Sequence, residues 1–307
     1  MRPAKHKVRI RVPASTANLG PGFDCLGMAL QLYNEFVLSI GGDTPLEVNV
    51  QGEDTEGIPL DGNNLVCRAM GRIFQIAGVE PEAMRLDITL HTPLARGLGS
   101  SASAIVGGMG VANAILGYPL SEEELLAEMI EMEGHPDNVV ACFYGGLTAS
   151  LVAEGKVIVR RYEPAETLRC VLVIPDYPIP TREARRVLPR KIAIKDAVFN
   201  ISRIPFLLDM LRTGDLRLLD IVMDDRVHQP YRRSLIPDYD VIEAEAKRVG
   251  GAGVCISGAG PTLLIITDVA SGQEVRAALE KALLPLPRKY SVQLVAPDLS
   301  GMTELEG

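Results

Sequence analysis

The chain has 307 residues, 47% hydrophobic and 23% charged, enough for one large domain or two of ordinary size with buried cores. Its formal net charge is −8 and its arginines are dispersed, which sets aside nucleic-acid or anionic-membrane binding as a main role. Five scattered cysteines without a C-x-x-C pair set aside a disulfide scaffold and fit reduced thiols in the cytoplasm.

A basic start at 1–7 leads into 8–12, where apolar and charged residues alternate and predict a half-buried strand rather than a signal core. A loop is expected at 14–24, then strands at 34–40 and 46–50 across a Gly41-Gly42-Asp43 turn. Residues 64–77 predict a helix stopped by Gly78, and 84–90 a strand running into a glycine-rich loop. The uncharged stretch 98–120 is rich in Gly, Ala and Ser, so it reads as a closely packed buried helix at 101–116, not a membrane span. Ser121-Glu122-Glu123-Glu124 has the form of a helix cap, with the helix running to about Glu133, and 145–154 with 156–162 reads as a hairpin.

A second unit is expected from Pro164. It holds a strand at 170–174, helices at 181–188, 191–210, 216–223 and 239–249, and a glycine-punctuated strand-turn-strand at 250–266. A helix at 272–284, a strand at 290–296 and a frayed tail from Ser300 complete it. Clustered strands favour α+β over a doubly wound parallel sheet.

Several constellations carry chemistry. Pro93-Leu94-Ala95-Arg96-Gly97-Leu98-Gly99-Ser100-Ser101-Ala102-Ser103 joins glycines to a helix start and two hydroxyls. Backbone N–H groups and the helix dipole favour an anion there, and the hydroxyls can donate to phosphate or ligate a cation. The run also fits a loose dinucleotide pattern, or a tight turn before a close-packed helix, but it lacks the lysine of the commonest nucleotide-binding loop. In Pro13-Ala14-Ser15-Thr16-Ala17-Asn18-Leu19-Gly20-Pro21-Gly22-Phe23-Asp24, Asp24 can pair with an ammonium and Asn18 can donate and accept, or both can cap a turn. Glu133-Gly134-His135-Pro136-Asp137-Asn138 crowds polar groups at a helix end: Glu133 can ligate Mg²⁺, and Asp137 and Asn138 can orient a hydroxyl nucleophile. Ser257-Gly258-Ala259-Gly260-Pro261-Thr262 is either a plain hairpin or a close backbone approach to a ligand.

Together these motifs, in this order and over nearly the whole chain, resemble the GHMP kinase superfamily, and most closely its homoserine kinases. The resemblance implies an α+β, two-domain GHMP kinase fold. Residues 1–163 would form an N-terminal, ATP-binding, ribosomal-S5-domain-2-like α/β domain, and 164–307 a C-terminal ferredoxin-like α+β domain completing the substrate site. It further implies that 93–103 hold the phosphates of ATP, with Ser101 and Glu133 as a Mg²⁺ pair. Asn18, Asp24, His135 and Gly260 would surround L-homoserine, with Asp137 and Asn138 at the reacting hydroxyl. Arg185 and Arg232 would bind the substrate; their neighbours Arg186 and Arg233 leave that alignment open by one position. No nucleic-acid or membrane partner is expected; a homodimer is compatible with the sequence, which does not fix the oligomeric state. The alternatives are another GHMP kinase acting on a sugar or isoprenoid alcohol, or a catalytically silent binding module. An NAD-binding oxidoreductase leaves 13–24 and 257–261 unexplained.

Overall fold

Alternation builds the first sheet. In β1 (Lys7–Ala17), Val8, Ile10 and Val12 are buried between half-exposed Arg9 and Arg11. The computed structural model describes residues 3–79, 81 and 83–306; Met1 and Arg2 of the basic start, and Gly307, lie outside them. β1 pairs antiparallel with β2 (Leu26–Ile40), placing Ile10 opposite Phe36. β2 pairs with β4 (Met84–Leu90), which runs parallel to β3 (Leu46–Gly52). The near end of β2 also pairs with β5 (Leu147–Ala153), the first arm of a hairpin with β6 (Lys156–Tyr162).

Helices α2 (Ser100–Ile115) and α4 (Pro136–Tyr144) pack on this sheet, with α1 (Leu65–Ala77) against α2, and α3 (Glu122–Glu133) against α2 and α4. Their core includes Phe36, Met70, Ile73, Ile105 and Met109, each at most 1% exposed. The small residues of α2 serve that packing: a side chain at Gly107 would strike the Phe36 ring, and one at Gly108 the Val66 carbonyl. Fully burying Phe36 contributes up to about 3 kcal/mol. Gly78 ends α1 in the left-handed conformation, and Ser121 and Glu124 form a reciprocal cap on α3, as the sequence predicts.

The second sheet has the order β10-β7-β9-β8, from β7 (Leu168–Pro175), β8 (Gly253–Ile256), β9 (Leu263–Asp268) and β10 (Tyr290–Val295). One face, through Cys170, Leu172 and Leu264, meets Leu19, Leu26 and Met28 of the first unit and Leu207 of α6 (Ile194–Thr213). The other, through Val171, Val173 and Ile265, packs on α9 (Tyr239–Arg248) and α10 (Gly272–Leu283). Burial on both faces explains why these strands are continuously apolar instead of alternating. The short helices α5 (Thr181–Arg186), α7 (Leu219–Val222) and α8 (Gln229–Arg232) connect these layers.

The structure corrects the sequence reading in places. Residues 14–17 continue β1 instead of opening the loop, and β2 starts at Leu26 rather than 34. Helix α4 was hidden, because it begins inside the polar run around Pro136. The tail is not frayed: β11 (Thr303–Leu305) pairs with β1, Arg9 opposite Leu305.

Candidate active site

The glycine-rich loop leaves β4 and enters α2 beside a cavity of about 430 Å³. Its backbone is folded by left-handed conformations at Ala95, Gly97 and Gly99, with φ of 53°, 78° and 69°. Neighbouring segments tie up its carbonyls. Ala95 O accepts from Ile179 N at 3.0 Å, Arg96 O from Thr262 N at 3.3 Å and Leu98 O from Ser15 N at 3.1 Å. Gly97 O accepts from Ser257 Oγ at 2.6 Å. By contrast, the N–H groups of Gly97, Gly99, Ser100 and Ser101 donate to no protein acceptor among the described residues, and all of these residues line the cavity. Bound carbonyls, free donors and the positive end of a 16-residue helix make an anion cradle.

Beside the cradle, Ser101 Oγ donates to Glu133 Oε2 at 2.7 Å. Burial raises the Glu133 carboxyl above its ordinary value, against the pull of the Ser101 hydrogen bond. Gly134 ends α3 at φ 90° and Pro136 opens α4, turning the chain so that Glu133, His135, Asp137 and Asn138 all reach the cavity. Asp137 Oδ1 accepts from His135 Nδ1 at 2.7 Å and from Asn138 N at 2.8 Å. Burial works against a charge on His135, but the Asp137 hydrogen bond and the charges of Asp137 and Glu133 outweigh it, so its pKa rises. Asn138 Oδ1 accepts from Ser15 Oγ at 3.0 Å. Among the described residues, no group of three or more His, Cys, Asp or Glu side chains is set to hold a metal. The Ser101–Glu133 oxygen pair is a donor set that suits Mg²⁺, which takes few protein ligands and keeps phosphates and waters.

The opposite end is built from charged side chains. Asn18, at φ 71°, donates from Nδ2 to Gly258 O at 2.8 Å and accepts from Asp24 N at 3.0 Å, fixing the loop that carries Asp24. Asp24 receives both terminal nitrogens of Arg185, at 2.8 and 3.0 Å. Each partner is about one-third exposed, so the pair contributes at most about 1 kcal/mol and can exchange for ligand groups at little cost. Arg232 is buried. Its Nε donates to Ala184 O at 3.3 Å and its Nη1 to Gly258 O at 2.9 Å, while burial, followed by the charge of Arg185, lowers its pKa to about 10. Both guanidinium groups lie over the Phe23 ring, at 5.7 and 5.2 Å. Arg185 and Arg232 line the cavity. Arg186 is exposed and Arg233 pairs with Asp240 and Glu243 away from it.

Not every predicted residue arrives. Leu98 is buried in the core between the sheets, Ala102 is buried, and Ser103 Oγ is buried, accepting from Asn34 Nδ2. Pro93 faces a separate cleft, and Gly260 packs against Ile256 and Ile236. Leu94, Ala95 and Arg96 line the cavity, but the Arg96 guanidinium is turned to the carbonyls of Leu94, Pro175 and Asp176. Sequence reasoning missed an apolar chamber of Val50, Ile58, Leu65, Val66, Ile88 and Leu90 next to the cradle. Half of these side chains belong to strands whose pattern reads as ordinary core, so no signal in the sequence marks them.

Known proteins match throughout. The family model described as GHMP kinases N terminal domain matches residues 64–146, and that described as GHMP kinases C terminal matches 207–284. A homoserine kinase of Microchaete diplosiphon is 43% identical over 302 residues, 97% of either chain. The crystal structure of a homoserine kinase from Cytophaga hutchinsonii superposes with a TM-score of 0.88 at 27% identity, covering 99% of both chains. An L. major mevalonate kinase, solved with R-mevalonate, shares the fold at a TM-score of 0.74 and 19% identity, over 96% of this chain and 98% of that one.

Proposed function

The chain belongs to the homoserine kinase family of the GHMP kinase superfamily, and from that premise we infer that it transfers the γ-phosphoryl group of ATP to the side-chain hydroxyl of L-homoserine, forming O-phospho-L-homoserine. The observation that carries this reading is the polarity of one cavity. A backbone anion cradle lies at one side, and Asp24, Arg185 and Arg232 at the other. That second set answers an amino acid: the carboxylate of Asp24 suits an ammonium, and two guanidinium groups suit a carboxylate.

In this mechanism the loop N–H groups and the start of α2 hold the phosphates and take up charge as the bond to the leaving group breaks. The apolar chamber takes the adenine. Ser101 Oγ and the Glu133 carboxylate would hold Mg²⁺, which supplies charge neutralisation on the phosphates. Asn138, tethered through Ser15, orients the substrate hydroxyl, and Asp137 holds His135 alongside it. A loose phosphoryl-transfer transition state asks for alignment more than for a strong base. Residues 1–163, with β11 returning from the far end of the chain to their sheet, then serve as the ATP-binding unit, and the remainder of the second unit from 164 completes the substrate site. The reading extends to a cytoplasmic enzyme, supported by its free thiols, and to a homodimer that sedimentation would test.

A coupled assay of ADP release tests this against L-homoserine, L-serine, mevalonate and a set of sugars. Turnover with L-homoserine well above the rest is expected. Turnover only with another alcohol overturns the substrate, and no release with any alcohol overturns the kinase reading.

A further inference from the structure

Burying a guanidinium obliges the protein to satisfy its N–H donors, of which arginine has five. Arg232, only 2% exposed, gives one to Ala184 O and one to Gly258 O. A third goes from Nη1 to Nδ1 of His228, 3.3 Å away. The two on Nη2 have no protein acceptor among the described residues, and Arg232 lines the cavity. His228 itself is fully buried, and its Nε2 lies 2.8 Å from Gly20 O.

The tautomer follows from these partners. A carbonyl only accepts, so Nε2 carries the hydrogen and donates to Gly20 O. Nδ1 then keeps its lone pair and accepts from Arg232. A proton on Nδ1 would set donor against donor beside a second cation. Burial and the charge of Arg232 both lower the His228 pKa, against the pull of Asp225. The Phe23 ring stacks on the imidazole at 5.2 Å, and Asp225 accepts from the His228 backbone N–H at 2.9 Å, with Oδ2 of the same carboxylate 3.5 Å from the Nε2 edge of the ring.

We infer that His228 is a positioning residue: its neutral imidazole spans from Gly20 in the 18–24 loop to Nη1 of Arg232, and so aims the Nη2 edge of that guanidinium at the carboxylate of the substrate. This rests on the reading of Arg232 as a carboxylate partner. His228 touches no substrate atom. It joins the loop carrying Asp24 to the helix carrying Arg232, so that the ammonium and carboxylate sites keep a fixed separation.

The test compares kcat/KM for L-homoserine with that for 3-aminopropan-1-ol, the same molecule without its carboxylate, in wild type, His228→Gln and His228→Asn. In His228→Gln the amide can still reach Gly20 O, but the acceptor at the Nδ1 position is gone. In His228→Asn the amide oxygen stands near that position. His228→Gln should cut the preference for the amino acid about tenfold through its KM, with kcat and the KM for ATP unchanged, the size expected for one hydrogen bond to a charged group. His228→Asn should keep most of the preference. Equal losses on both substrates, or a preference intact in His228→Gln, overturn the inference. If His228→Gln does not fold, His228→Asn decides alone: a lost preference overturns the inference and a retained one supports it. Wild type showing no preference between the two alcohols sinks the reading of Arg232, and no turnover of L-homoserine sinks the kinase reading; either takes the inference with it.

Discussion

The two ends of the cavity are made of different material. The phosphate end is backbone: N–H groups of a loop whose carbonyls are tied outward, closed by a hydroxyl–carboxylate pair. The substrate end is side chain, drawn from the 18–24 loop, α5 and α8, and held by contacts far apart in sequence. A backbone cradle is rigid, carries no titrating group and tolerates no added atoms. A side-chain site can trade partners, as Asp24 and Arg185 can, and owes its shape to supports such as Phe23 and His228.

Substitutions should separate the two ends by both size and kind of effect. Gly97→Ala would drive a methyl into the Ser257 carbonyl at a positive φ, costing about 2–4 kcal/mol of stability from strain and overpacking, with kcat/KM for ATP falling by about 1,000-fold; denaturant unfolding and ATP saturation kinetics read both. Normal behaviour of that variant would break the account of the cradle. Ser101→Ala and Glu133→Gln should each lower kcat by about 100-fold, comparable to losing one preorganised transition-state contact, and leave calorimetric binding of homoserine intact. Asp24→Ala should raise the KM for homoserine about 10–100-fold, the value of a charged hydrogen bond, with little change for ATP; equal shifts in both would remove its ammonium role. Asp137→Asn should keep kcat within about tenfold, because alignment outweighs base strength here, and a far larger loss would make Asp137 a base. The smallest effect is on stability. His135 has a raised pKa, so its contribution is full below its ordinary value of 6.5 and is lost as pH rises through the raised one. Melting curves of wild type and His135→Gln should therefore converge towards high pH.

The same contrast governs what could be read from the sequence. Gly97, Gly99 and the serines announce the cradle, because few structures require glycines directly before a small-residue helix. Asp24 and Glu133–Asn138 were visible as polar groups in unusual places, and α2 as a close-packed helix. Leu98, Ala102 and Ser103 sit in the same motif but face the core, since a helix start can show only one side to the ligand. The chamber around Val66 and Ile88 stayed hidden because its residues are ordinary strand and helix apolars until the fold leaves a space between them. His228 stayed hidden too: one histidine in a polar run shows nothing until Gly20 and Arg232 stand on either side of it.

The return of β11 to the first sheet bears on how the molecule is made. Residues 297–305 cross the ends of β2, α4 and β1, with Asp298 N donating to Ala29 O, Gly146 N to Asp298 O, and Glu304 pairing with Lys5 at 2.6 Å. A ribosome completes β1 early and the strand that covers its edge only after the whole second sheet. Throughout translation that edge stays open to stray pairing, and the phosphate-binding half is sealed only when the substrate-binding half already exists.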